Sequence, residues 1–198
     1  MNDNIRSYSQ WAQIDISPIG FNSTIKDIEL SWGKFHKKDD KDSEIPVSEI
    51  KGHTILDGKV YSIYTCGRSG VASGTTGKLT IFDNNSQIVK YEWDVPWGSN
   101  DNTSKLSEED TSKYSFQFEK GNISSGALGK VTIKIIKLDD LCTSASIWDK
   151  GTRYPADKIV KWNNSIWRSK WESVGVKPGT PQVPGGDAYP WDKIKDCK

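Results

Sequence analysis

The chain has 198 residues, a formal net charge of +1 and a hydrophobic fraction of 34%. That length allows one or two domains, and the near-neutral charge gives no basis for a nucleic-acid-binding surface. No apolar run approaches the ~20 residues of a membrane-spanning helix, and 17 Gly and 8 Pro imply many turns.

The first residues, Met1-Asn2-Asp3-Asn4-Ile5-Arg6, lack the charged-then-apolar pattern of a signal peptide. If the protein leaves its cell, the expectation is that it is secreted or released without a classical signal peptide. Charge is uneven along the chain. Residues 1–141 carry 17 Lys/Arg and 20 Asp/Glu, a net of −3, and residues 142–198 carry 10 and 6, a net of +4. Tryptophan is uneven too, with four (Trp11, Trp32, Trp93, Trp97) before residue 141 and five (Trp148, Trp162, Trp167, Trp171, Trp191) after it. The shift places a domain boundary near Leu138–Ser146, giving domains 1–141 and 142–198. Cys142 and Cys197 bracket the second. A tail that small has a marginal core and gains from a staple, so a Cys142–Cys197 disulfide is expected. The alternative is two thiols in a reducing cell. Cys66 is then an odd, buried thiol.

Taken in order, residues 8–19 alternate in part and read as a strand. Ile25, Ile28, Leu30 and Trp32 continue the pattern up to Gly33. The mixed charges of Lys37–Glu44 read as a solvated loop. Asp40, Asp42 and Glu44 have alternate spacing, but the run lacks the glycine a calcium loop needs, so no metal site is assigned. Val60–Cys66 reads as a strand, and Gly74–Gly77 as a turn into Lys78–Phe82. Asp83–Ser86 is a hairpin signal leading into Ile88–Val95. Residues 98–112 are polar and read as a long loop. Tyr114, Phe116 and Phe118 alternate, and Gly126–Gly129 turns into Lys130–Ile136. Regularly spaced short strands without an amphipathic helix predict an all-β, antiparallel β-sandwich.

The organising stretch is Tyr91–Asn100. Tyr91, Trp93 and Val95 share one face by the two-residue period, and Glu92 and Asp94 share the other. Pro96 and Gly98 end the ladder. That leaves Trp97 either at a loop tip facing a ligand or lipid headgroup, or folded back to close the core.

No catalytic residue is assigned. The two histidines, His36 and His53, lie far from Cys66 in sequence and lack zinc-site spacing, and no carboxylate pair is isolated by a local motif. No cofactor is expected. In the tail, Trp148, Tyr154, Trp162, Trp167, Trp171, Tyr189 and Trp191 are seven large aromatics in 57 residues. A core that small cannot bury all of them. The exposed ones would form a stacking surface for sugar rings. Single-stranded nucleic acid is the rival ligand, ranked lower because the charge is modest and Glu172 and Asp187 flank the aromatics.

Residues 8–138 resemble the aegerolysin family. The resemblance rests on Gln10-Trp11, Leu30–His36, Asp40-Lys41-Asp42, Cys66–Ser69, Ser73–Gly77, Trp93–Ser99 and Ser125–Gly129, in that order along the chain. It implies a β-sandwich that binds membrane sphingolipid, such as ceramide phosphoethanolamine or sphingomyelin–cholesterol assemblies. It also implies a larger pore-forming partner protein, and bacterial relatives include small components of binary insecticidal toxins. Lipid-contact positions carry over to Trp11, Trp32 and Trp97. Ser73 stands where some sphingomyelin binders have a glutamate, and Asn100 where fungal relatives have a lysine, so headgroup preference can differ. Cys66 matches a structural cysteine.

Residues 146–194 resemble the small chitin-binding module of bacterial chitinases and cellulases, a short twisted antiparallel sheet. Trp148, Tyr154, Asp157–Trp162, Ile166–Trp171, Pro178-Gly179 and Trp191 carry it. Ala156 replaces a usual glycine, and Trp171-Glu172 replaces a doubled tryptophan. The resemblance implies chitin or another glycan as partner, with Trp162, Trp167, Trp171 and Tyr189 as contacts and Trp148 and Trp191 as core. The expected function is thus a sphingolipid-recognition component of a two-component toxin with a glycan-targeting tail. The alternative is a chitin or polysaccharide adhesin whose sandwich is only a scaffold. An accessory to a hydrolase is a third reading, against which the lack of a local catalytic motif counts.

Overall fold

A computed structural model describes residues 8–138, 141–180 and 189–197. The chain divides into two compact units, Met1–Ile136 and Lys137–Lys198. The first is a sandwich of two sheets. One sheet has the order β10-β11-β1-β6-β3-β4 and the other β5-β2-β7-β8-β9. Their strands are β1 (Trp11–Ile19), β2 (Ser23–Trp32), β3 (Lys34–Lys37), β4 (Asp40–Ile45), β5 (Thr54–Ile55) and β6 (Tyr61–Cys66). They continue with β7 (Thr75–Asp83), β8 (Ser86–Val95), β9 (Thr103–Ser107), β10 (Tyr114–Glu119) and β11 (Gly129–Lys137). One helical turn, α1 (Val47–Ile50), packs Ile50 into the core.

The face alternation of β8 is realised. Tyr91, Trp93 and Val95 are fully buried, while Glu92 and Asp94 are half-exposed. Ile14 and Ile16 of β1, Leu79 and Ile81 of β7, and Val131, Ile133 and Ile135 of β11 complete one continuous core with them. The β1–β11 pair is parallel, whereas the other named strand pairs are antiparallel. A parallel pair needs a long connection, and here nearly the whole unit supplies it.

Three stretches read as turns or loops from sequence belong to strands, and of the Gly74–Gly77 turn, Thr75–Gly77 open β7. Lys37–Glu44 contains most of the β3–β4 hairpin, and residues 98–112 contain β9. Both β4 and β9 are edge strands with little apolar face to bury, so periodicity does not announce them. Charges on an edge also discourage pairing with another chain. Asp40 spends its carboxylate inside its own turn, accepting from Asp42 N–H (2.9 Å) and Ser43 Oγ (2.6 Å).

A buried carboxylate sits at the centre of the first sheet. Asp15 is 7% exposed, and Lys130 Nζ lies 3.0 Å from its Oδ2. Burial alone raises its pKa, but hydrogen bonds from Gln13, Ser62 and Lys130 outweigh that and hold it below the usual value. A depressed folded pKa gives stability that is present above the unfolded value of about 3.9 and lost as pH falls through the folded one. We therefore expect Asp15→Asn to flatten the acid limb of the thermal-stability profile below about pH 4. Melting temperatures from pH 2 to 7 test this; identical acid limbs for both proteins would refute it.

The second unit is smaller. One turn, α2 (Leu141–Ser144), precedes a three-stranded sheet in the order β13-β14-β16, built from Ile159–Trp162, Ser165–Ser169 and Trp191–Asp196. A two-stranded ribbon pairs β12 (Arg153–Tyr154) with β15 (Ser173–Val174). Its core is Trp148, Tyr154, Val160 and Trp191. Cys142 and Cys197 are joined by a disulfide with Cα atoms 5.6 Å apart.

Candidate functional site

The candidate lipid site is assembled by strand register. Trp32 ends β2 opposite Thr76 of β7, and Thr76 lies opposite Asp94 of β8. The chain then leaves β8 through Pro96 into Trp97. Gly33 turns the backbone away after Trp32 at a φ of +91°, a value L side chains rarely take. Gly74 passes so close to Val95 that a Cβ there would lie 1.7 Å from its carbonyl oxygen. These two glycines hold the Ser73 loop and the Trp32 terminus against Pro96-Trp97.

The result is a groove of about 280 Å³ lined by Trp32, Ser73, Gly74, Thr76, Asp94 and Trp97, with Ala72 and Pro96. Trp32 is 66% exposed, the largest exposed apolar side chain of this unit. Trp97 is half-buried, and it also lines a second cavity of about 400 Å³ with Ser9, Gln10, Gly98 and Ser99. Trp97 therefore neither projects freely nor is sealed in the core; it borders two recesses. The polar groups of the first recess are set by hydrogen bonds. Thr76 Oγ1 donates to Asp94 (2.6 Å), and Ser73 Oγ accepts the Arg68 N–H (3.1 Å). Arg68 in turn forks onto both oxygens of Glu44 at 2.9 and 2.6 Å, which lowers the Glu44 pKa.

Of the five residues assigned from sequence, Trp32, Ser73 and Trp97 meet at this groove. Asn100 is exposed beyond Gly98 and does not line it. Trp11 is half-buried on the first sheet, where Lys41 Nζ sits 5.3 Å from its ring. Lys41 Nζ also donates to the Tyr8 carbonyl (2.7 Å), and its burial lowers its pKa. Lys34 Nζ donates to Tyr8 Oη, which itself donates to Asp42. Sequence reasoning missed Gln10, Asp94, Thr76 and this Tyr8–Lys34–Lys41 cluster. Asp94 and Thr76 were findable from the β7–β8 hairpin register; the lysine–aromatic pairs are long-range and left no local signal.

The residues weighed for nucleophilic chemistry have other engagements. Cys66 is fully buried, and burial pushes its thiol pKa up, away from the reactive thiolate. His36 donates from Nδ1 to the Lys37 carbonyl (2.7 Å), and burial lowers its pKa. His53 stacks on Tyr61 with centroids 3.8 Å apart.

In the tail, Trp148 and Trp191 are buried. Val160 pairs with Trp167 across β13–β14, and Trp162 follows two residues after Val160. The three side chains therefore share the core-facing side, and Trp162 and Trp167 pack against the core rather than standing clear of it. Trp167 Nε1 donates to the Trp162 carbonyl (3.1 Å). Tyr189 is half-buried and donates from Oη to the Lys177 carbonyl (2.7 Å). Trp171 is the most open ring, at 40% exposed.

The first unit is thus a β-sandwich with an exposed indole beside a partly polar groove. The chain belongs to the aegerolysins, whose family model matches residues 9–138. It is 37% identical to ostreolysin A6 of Pleurotus ostreatus over 135 residues, 66% of this chain and 97% of the relative. It is 33% identical to Asp-hemolysin of Aspergillus fumigatus over 133 residues, covering 66% and 95%. Among solved structures, IP-1A from Alcaligenes faecalis matches with a TM-score of 0.65 at 38% identity, over 68% of this chain and 96% of that one. RahU, solved in complex with a Tris molecule, matches with a TM-score of 0.63 at 27% identity, over 67% and 98%. These matches cover the first unit of the chain.

Proposed function

We propose that the protein is the membrane-lipid recognition component of a two-component pore-forming toxin, with sphingolipid as its ligand and a tail that binds glycan. The observation that carries the lipid reading is Trp32, 66% exposed, facing a groove it shares with Trp97 and Ser73. An indole held clear of the core suits the membrane interface, where its apolar body is buried and its N–H stays wet. The relative named Asp-hemolysin supports a membrane target. No helix among the described residues is long and apolar enough to cross a bilayer, and the sandwich strands are committed to one shared core. A larger partner protein, as the family resemblance implies, would form the pore. The protein acts by binding rather than catalysis, and it reaches its target from outside the cell.

The tail would hold the protein at a chitin or other glycan surface, such as an insect gut lining, while the sandwich engages lipid. Two weak sites on one chain raise apparent affinity if both can be engaged at once. The test is co-sedimentation of the intact protein with three vesicle sets: phosphatidylcholine alone, with ceramide phosphoethanolamine, and with sphingomyelin plus cholesterol. Binding to a sphingolipid set alone is expected. With Ser73 in the groove, the ceramide phosphoethanolamine set is expected to bind best. Binding to none of the three would refute the lipid reading and leave the adhesin reading in its place.

A further inference from the structure

The glycan reading leaves open what kind of sugar the tail takes, and its lysines bear on that. Lys177 Nζ lies 5.0 Å from the Trp162 ring centroid, and Lys170 Nζ lies 5.1 Å from that of Trp171. These are two of the rings assigned to sugar stacking. Trp162 already meets the edge of Trp148 at 5.1 Å and packs into the core, so the ring has little other open surface.

Lys177 is also fixed in place. Its carbonyl accepts from Tyr189 Oη (2.7 Å) and from Thr180 Oγ1 (2.9 Å), and the Thr180 N–H donates to Tyr189 Oη (3.0 Å). Pro178 in the same turn is buried, and Gly179 lies against Trp167, where a Cβ would come within 3.2 Å of the ring. The turn thus carries the lysine to Trp162 as a built feature, and Tyr189 serves as its anchor.

Four acids among the described residues of the unit are already engaged. Glu172 pairs with Arg153 (3.2 Å), and Asp192 with Arg168 (3.0 Å) and Lys170 (3.6 Å). Asp196 pairs with Lys193 (2.6 Å), and Asp149 caps its own turn through Gly151 N–H (2.9 Å). Lys177 has no ion-pair partner among the described residues. Its ammonium, beside the Trp162 ring, is therefore the charge open to a ligand there.

A neutral sugar that stacks on Trp162 must displace the ammonium from the ring and regains only a hydrogen bond to a neutral oxygen. A sugar carrying a carboxylate or sulfate can stack beside the ring and pair with the same ammonium. The geometry points to an acidic polysaccharide, rather than neutral chitin, as the tail's ligand, with Lys177 and Trp162 forming the subsite for its anionic group. This rests on the glycan reading of the tail.

The experiment measures retention of the full chain on polygalacturonate and hyaluronan (carboxylate), on heparin (sulfate in addition) and on insoluble chitin, at 20 and 300 mM NaCl. Binding to an anionic polymer is expected to exceed binding to chitin and to fall at high salt, where the Debye length shortens. Retention on the two carboxylate polymers would assign the subsite to uronate; retention on heparin alone would assign it to sulfate. Lys177→Met is expected to weaken anionic binding about fivefold, with Lys177→Arg near wild type. A tryptophan-fluorescence melt of both variants, to which the tail contributes five of the nine tryptophans, serves as the folding control for the tail. Stronger, salt-insensitive binding to chitin that Lys177→Met leaves intact would overturn the charge selection and keep the glycan reading. Retention on no polymer would overturn both.

Discussion

Trp32→Ala is expected to weaken binding to sphingolipid vesicles by about 1–3 kcal/mol, or roughly fivefold to 150-fold, while leaving the melting temperature unchanged. Both halves of that expectation come from one fact. A ring that is 66% exposed has little native packing to lose but a large apolar area to bury at an interface. Trp97→Ala should differ. Its half-buried ring borders two recesses, so its removal should reduce vesicle binding similarly and also cost about 1–2 kcal/mol of stability. Trp11 provides the contrast. Its ring packs beside Lys41, and it does not line the Trp32–Trp97 groove. If the site is that groove, Trp11→Ala should act mainly through stability. Co-sedimentation and thermal melts of the three variants would separate these effects. A folded Trp32→Ala/Trp97→Ala protein that still binds sphingolipid vesicles normally would remove the groove from the function.

The central strand of this site was legible in the sequence because β8 obeys a strict two-residue period in large side chains. Tyr91, Trp93 and Val95 could lie only on one face, and a buried face needs a second sheet. The edge strands were not legible. Charged residues dominate β4, from Asp40 to Glu44, and a solvated loop would read the same. The meeting of Trp32 with Trp97 depends on two registers, β2 with β7 and β7 with β8, separated by up to 65 residues of chain. Local pattern carries no information about that. In the tail, counting aromatics suggested a row of open rings. The pairing of Val160 with Trp167 instead turns Trp162 and Trp167 towards the core, and only Trp171 keeps a substantial open face. A ring count fixes how much aromatic area must be placed, but strand pairing decides which side it faces.

Reduction of the Cys142–Cys197 bond is expected to melt the tail while the sandwich stays folded. The bond closes a loop across a sequence separation of 55 residues, and in the chain-entropy model losing it costs about 4 kcal/mol. A unit of this size, whose main apolar cluster has four buried residues among those described, has little stability to spare. The bond does not act alone. Lys161 Nζ donates to the Cys142 carbonyl (2.8 Å), and the Cys197 N–H donates to the Asn164 carbonyl (2.8 Å). Both cysteines are thus tied to the β13–β14 hairpin. Those hydrogen bonds contribute only about 0.5–1.5 kcal/mol each, so they do not replace the covalent link. The first unit holds no disulfide among its described residues, and its one cysteine, Cys66, is buried. Reductant should therefore leave vesicle binding intact and abolish glycan retention. Cys142→Ser should do the same without reductant. Five of the nine tryptophans lie in the tail, so a fluorescence melt should resolve a low-temperature transition that appears only on reduction. A single transition, at the same temperature with and without reductant, would show that the aromatic core holds the tail together without its staple.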